Sequence, residues 1–138
     1  MNCGTIFRDQ AFQFSDGPAG DKLIIVLCEY GTDHLVVKTT TTPKGRTPGC
    51  QINDRPPNYF IPKRTTWFDE DTWIELDECF EYVSYIQKEK QKDGTSHQLR
   101  NGMLSPSLMK DIIDCALLSD DIDEFHLEHL AMMRKKMA

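Results

Sequence analysis

The chain has 138 residues, 39% hydrophobic and 28% charged, with 22 acidic against 16 basic side chains and a formal net charge of -6. That length suits one folding unit with a real core, and the composition excludes a disordered or collagen-like chain. No run approaches the roughly 18–20 apolar residues of a membrane span, and Met1 to Asp21 lacks the charged start and apolar core of a signal peptide, so a cytoplasmic protein is expected, away from membranes.

The charge is unevenly spread. Residues 1–66 carry eight basic against six acidic side chains, and residues 67–138 carry eight against sixteen. Pro43 to Thr66 sets Lys44, Arg46, Arg55, Lys63 and Arg64 against Asp54 alone, which makes it the segment expected to meet an anion.

Taken in chain order, Phe12-Gln13-Phe14 alternates as a half-buried strand does, and the glycines and proline of Ser15 to Asp21 can reverse the chain. Lys22 to Cys28 is a bounded apolar run with Ile and Val, the pattern of a strand buried on both faces. A turn over Glu29 to Asp33 leads to a second strand, His34 to Thr42, rich in β-branched residues and ended by Pro43. Pro43 to Pro57 reads as a long mobile loop, Asn58 to Pro62 as a short edge strand, and Thr72 to Leu76 as an alternating strand. Phe80 to Ile86 fits strand or helix, its aromatics favouring strand. The polar stretch 88–104 reads as a connector with little to bury.

The period then changes to that of helices. Ser105 before Pro106 is an N-cap with a first-turn proline, and Leu108, Met109, Ile112, Ile113 and Ala116 recur at helical spacing. Ser119 is placed to cap a last helix with Asp120, Asp121 and Asp123 in its first turn, Arg134, Lys135 and Lys136 in its last, and a stripe of Ile122, Phe125, Leu130 and Met133. The expected organisation is a single domain: strands over 1–87, a connector over 88–104 and two α-helices over 105–138.

Five cysteines, an odd number with no CxxC pair, predict reduced thiols rather than a zinc ribbon or disulfide framework. Cys28 and Cys115 fall in apolar patterns and read as buried; Cys50, flanked by Gly and Pro, is the one placed to react. His126 and His129 have a spacing that zinc sites use, but the sequence places no further ligand beside them. Asp69-Glu70-Asp71 lacks the glycine and later glutamate of a calcium loop. No GxSxG, P-loop, HExxH or GxGxxG element is present, so the familiar hydrolase, nucleotide and dehydrogenase motifs give no lead.

What remains is a hairpin that brings Lys22, at the exit of the glycine-rich loop, near Thr39 to Thr42. A cation with hydroxyl groups beside a basic loop suits a phosphodiester. The plainer account is that threonines make good strands and that an edge lysine discourages aggregation.

Gly4-Thr5-Ile6, the Gly17–Gly20 loop, Lys22 before Leu23 to Leu27, and Leu35-Val36-Val37-Lys38-Thr39-Thr40 together resemble the PemK/MazF family of toxin-antitoxin ribonucleases over about residues 4 to 42. Trp73-Ile74-Glu75-Leu76, Phe80 to Ile86 and Gly102-Met103-Leu104-Ser105 follow the family's later strands and helix entry more loosely. The resemblance implies a mainly β protein, a small SH3-like β-barrel followed by two α-helices, acting as a homodimer. It implies single-stranded RNA as substrate, an antitoxin protein as further partner, and no cofactor or metal. Lys22 falls where the family has a catalytic Arg and Thr40 where it has a phosphate-facing Thr or Ser, with Thr39 one step away. Lys44, Arg46, Arg55, Lys63 and Arg64 would hold the strand, with Tyr59 and Phe60 stacking bases. Lys lacks the bidentate fork of Arg, which implies weakened catalysis. The alternative is a non-catalytic module binding protein or nucleic acid, and a third reading is a structural protein that assembles through its acidic helices.

Overall fold

The computed structural model describes residues 2–14, 17–45 and 47–137. Eight strands and three helices follow one another as β1 (Thr5–Phe12), β2 (Gly20–Tyr30), β3 (Asp33–Thr40), β4 (Gly49–Gln51), β5 (Asn58–Ile61), β6 (Thr72–Glu75), β7 (Phe80–Tyr82), α1 (Ser84–Asp93), β8 (Ser96–Met103), α2 (Pro106–Ala116) and α3 (Glu124–Lys136). The chain is mainly antiparallel β, in the order β4-β5-β6-β3-β2-β1-β8, with β7 also paired to β3. β3 is the shared element: residues 34–36 pair with β7 and Thr39 and Thr40 with β6, while β2 occupies its other edge. The terminal strands of that order, β4 and β8, do not pair with each other.

Alternation along β1 to β3 supplies two cores. Ile6, Ile25, Leu27, Leu35 and Val37 face the large one with Ile74, Met109, Ile112 and Ile113, whereas Phe7, Phe12, Ile24, Val26, Val36 and Tyr82 form a smaller one on the opposite face. The run at 24–28 is thus buried on both faces, as its unbroken apolar character predicts. The β2–β3 reversal is Gly31-Thr32, with Gly31 at φ 63°, a conformation open chiefly to glycine. Gly4 is required for a different reason: a Cβ there would stand 2.8 Å from the Leu104 carbonyl oxygen.

Several expectations are corrected. The first strand begins at Thr5 rather than Phe12. Asn58–Ile61 is internal, flanked by β4 and β6, and the segment expected as loop contributes β4 at the edge. Phe80–Ile86 is divided: Phe80–Tyr82 is strand, and α1 starts at Ser84. The polar connector is α1 and β8, so the helices number three. β8 is hydrophilic because it is an edge strand with most side chains in water. Ser105 caps α2 as predicted, its Oγ accepting from Leu108 N at 3.1 Å. Asp123 instead of Ser119 caps α3, its carboxylate accepting from Phe125 N at 2.9 Å. Ser119 Oγ donates to Leu76 O at 2.6 Å, and Phe125, expected in an apolar stripe, is 74% exposed.

The cysteine reading is corrected too. Cys50 and Cys115 form a disulfide that ties β4 to α2 across 65 residues, leaving Cys3, Cys28 and Cys79 free. No helix among the described residues is long and apolar enough to cross a membrane.

A buried polar cluster fastens α1 to the sheet. Asp9, fully buried, accepts from Lys90 Nζ at 2.8 Å and from Tyr82 Oη at 3.3 Å; Lys90 also donates to Ala11 O at 2.9 Å. Tyr82 and Ser96 hydroxyls lie 2.6 Å apart. Burial pushes the Tyr82 phenol up to about 12.

Candidate functional site

The hairpin does bring Lys22 and the threonines together. They line a cleft of about 520 Å³ with Arg8, Asp21, Leu23 and Leu99, formed where β1, β2 and β3 meet the end of the sheet. Lys22 Nζ donates to Thr39 O at 3.0 Å. An ammonium has three donors, so this bond positions the charge without exhausting it.

The two candidate threonines separate cleanly. Thr39 is 5% exposed and its hydroxyl donates to Leu23 O at 2.9 Å, a bond internal to the sheet. Thr40 is half-buried on the cleft, where its Oγ1 accepts from Thr42 N at 3.1 Å and keeps its own O–H free to donate. Thr40 is therefore the hydroxyl presented to a ligand.

Sequence reasoning missed three residues here. Arg8 stands opposite Leu23 on β2 and His97 on β8. Its guanidinium holds Asp21 through two bonds, at 3.2 and 2.7 Å. These bonds hold the Asp21 carboxyl below its usual range and push Arg8 up. Both side chains are largely exposed, so water screens the pair and an incoming anion can displace the carboxylate. His97, the β8 neighbour of Arg8, is close enough to lower Asp21 further but does not line the cleft. A first strand started at Thr5 sets Arg8 across from Leu23, on the sheet face of Thr39 and not that of Lys22 and Thr40, so register alone would not have joined it to them although it lines the same cleft.

The remaining predicted residues divide. Lys63 and Arg64 line a second cleft of about 380 Å³ that shares Thr41 with the first, so the two adjoin there. Asp69, Glu70 and Asp71 line that second cleft too, offsetting its positive charge. Asp71 accepts from Lys63 N at 2.9 Å, which makes the acidic triplet part of the turn. Lys44 is half-buried next to Gly45, whose carbonyl accepts from Trp73 Nε1 at 2.8 Å. Arg55 is exposed and donates to Asp54 O at 3.1 Å. Arg46 lies outside the described residues, as do Ser15 and Asp16 of the glycine-rich loop.

Tyr59 is not brought to the cleft. Thr40 and Phe60 both pair with Trp73, whereas Thr39 and Tyr59 both pair with Ile74, so Tyr59 shares the opposite face from Thr40. It lies instead with Cys50, Asp111 and Cys115 beside α2. Phe60 is on the Thr40 face but 4% exposed, stacked on Trp73 at 4.6 Å between ring centroids, and so packs the sheet.

A third cleft, of about 530 Å³, is lined by Glu78, Glu81, Asp121, Asp123, Phe125 and His126 among others. Its charge repels phosphate. The two helix histidines meet Tyr30 edge-on, His129 Nε2 lying 2.6 Å from Glu29 O. No group of three or more His, Cys, Asp or Glu among the described residues could hold a metal ion.

No family model, curated protein or solved structure matches this chain. The cleft's chemistry therefore rests on its own residues: two cations and a donating hydroxyl, with His97 on the neighbouring strand.

Proposed function

We propose that the chain is a PemK/MazF-like, metal-independent endoribonuclease for single-stranded RNA, with its site at the Arg8–Lys22–Thr40 cleft. The observation that carries this reading is that a cation and a free hydroxyl from two different strands, joined by an unexpected arginine, line one open cleft. The SH3-like barrel belongs to the same reading. A strand such as β3, paired to different partners along one edge, is how a small barrel bends its sheet.

In the proposed reaction the ribose 2′-hydroxyl gives its proton to the His97 imidazole and attacks the adjacent phosphorus. The 2′-O–P bond forms, the P–O5′ bond breaks, and the leaving 5′-oxygen takes a proton back from the imidazolium. Products are a 2′,3′-cyclic phosphate and a 5′-hydroxyl end. Lys22 and Arg8 balance the charge that builds on the phosphorane, and Thr40 donates to one of its oxygens. Lys22 acts as a point charge without the fork that would fix phosphate geometry, which is consistent with a slow enzyme.

Incubation with long single-stranded RNA in chelator, with the ends mapped, tests this. Cleavage to cyclic phosphate ends is expected, reduced in Lys22→Ala, Thr40→Ala and His97→Ala. No cleavage, or cleavage indifferent to all three substitutions, overturns it. A second reading is favoured by the ties already made by Lys22 to Thr39 O and by Arg8 to Asp21: RNA held without cleavage. In that case affinity falls with salt, and Lys22→Ala flattens the log–log slope by about 0.7, the contribution of one phosphate contact to a single strand.

A further inference from the structure

Away from the RNA cleft, the two ends of the chain enclose a pocket of about 250 Å³ lined by Asn2, Cys3, Leu27, Cys28, Glu29, Met133 and Met137. Four of those seven residues carry sulfur. Gly4 N donates to Val26 O at 2.7 Å, which lays Cys3 against the Cys28 end of β2. Met133 lies in the last turn of α3, Met137 is the residue that ends the helix, and both line the pocket. Neither thiol is in a disulfide.

We propose that Cys3 and Cys28, supported by the thioethers of Met133 and Met137, form a binding site for a soft monovalent d¹⁰ metal ion, of which Cu(I) is the biological case. Thiolate and thioether donors select such ions, which accept two or three sulfur ligands. A divalent ion is poorly served here, since the neighbourhood offers no cluster of three His, Cys, Asp or Glu side chains.

The thiols are protonated in the empty pocket. Burial, with Cys3 and Glu29 beside it acting in the same direction, pushes Cys28 up to about 12, and burial raises Cys3 as well. Binding is therefore an exchange: two S–H bonds break, two Cu–S bonds form, two protons pass to solvent, and copper stays Cu(I). The metal supplies the positive partner that each buried thiolate lacks, and affinity must rise with pH.

The test is anaerobic titration of the intact chain with Cu(I), held reduced by ascorbate, against a chromogenic Cu(I) chelator. Ag(I) serves as a probe that needs no reductant. One ion per chain is expected, held against the chelator, with affinity increasing from pH 6 to pH 8. Cys3→Ser should weaken it by more than the roughly 10–100-fold that loss of an outer-shell partner costs. Cys3 is half-buried, so this variant folds; Met133→Leu, which preserves volume, should weaken binding several-fold. Met132→Leu, on α3 but exposed and outside the pocket, should leave it unchanged. No retained ion in the native chain overturns the proposal, as does binding that survives both Cys3→Ser and Met133→Leu or that depends on Met132.

Discussion

Replacing Lys90 by Met tests whether the Asp9 cluster is what fastens α1 to the sheet. The change keeps the length of the stem but removes two charge-assisted hydrogen bonds, to Asp9 Oδ2 at 2.8 Å and to Ala11 O at 2.9 Å. Asp9 has no solvent exposure to fall back on. Removing one partner of a buried ion pair costs about 3–5 kcal/mol. Asp9 retains the Tyr82 hydroxyl and the Ala11 N–H, the latter at 2.9 Å, so the lower end applies, about 3 kcal/mol. Urea denaturation followed by far-UV circular dichroism measures it. Asp9→Asn together with Lys90→Met removes both charges, and should be less destabilised than the sum of the single changes by about 2 kcal/mol. Loss below about 1 kcal/mol in Lys90→Met, or strict additivity in the double variant, would refute the reasoning.

The Cys50–Cys115 bond closes a loop of 65 residues, so Cys50→Ser should cost about 4 kcal/mol by chain entropy, and thiol counting on the unfolded, unreduced protein should find three groups where the reduced protein gives five. Alkali should destabilise the fold. Cys28 and Cys79 rise from 9.0 to about 12 and Tyr82 from 10.0 to about 12, mainly through burial, so all three hold their protons more tightly folded than unfolded. Their contribution is complete below pH 9; it begins to fall at the unfolded values, the thiols' before the phenol's, and is lost as pH climbs through the shared folded value of about 12. A denaturation midpoint that stays level from pH 8 to pH 11 would contradict this. Thr39→Val and Thr40→Val should also part company. The first should lower stability by about 1 kcal/mol through the bond lost at Leu23 O, with RNA binding intact, and the second should lower RNA binding at unchanged stability.

How far the fold could be read depended on where each element's free energy comes from. β2, β3 and α2 bury apolar side chains at their own periods, so pattern found them: Ile24 to Cys28, Leu35 to Val37, and Met109, Ile112, Ile113, Cys115 and Ala116 are all buried. α1 and β8 bury little beyond Gln87, Ser96 and Gly102. They are held by polar contacts that reach back to Asp9 and by backbone pairing with β1, and neither leaves a periodic trace. The disulfide is equally silent, because a covalent partner 65 residues away has no local spacing. At the site, Lys22 and the threonines were legible because a short hairpin fixes its own neighbours. Tyr59 was misplaced because a one-residue step along a strand moves a side chain to the other face.

The overall charge of -6 and the phosphate-binding cleft proposed above are compatible because of where the charges stand along β2. Lys22 is near its start, and Tyr30, which borders the acidic cleft of Glu78, Glu81, Asp121 and Asp123, is at its end. Eight residues of antiparallel strand span about 27 Å at the usual rise of ~3.4 Å. That is more than three times the Debye length of about 8 Å at physiological salt, so the acidic cleft is screened from a strand bound at Lys22. The nearer opposition is Asp69 to Asp71, in the adjoining cleft beyond Thr41 with Lys63 and Arg64. On the proposed reading, RNA passing from that cleft to the first meets mixed charge and then, at Arg8 and Lys22, two cations whose acidic companion on the cleft lining, Asp21, is exposed and displaceable. The field would then favour a phosphate beside Thr40 over its neighbours, where the scissile phosphate is proposed to sit.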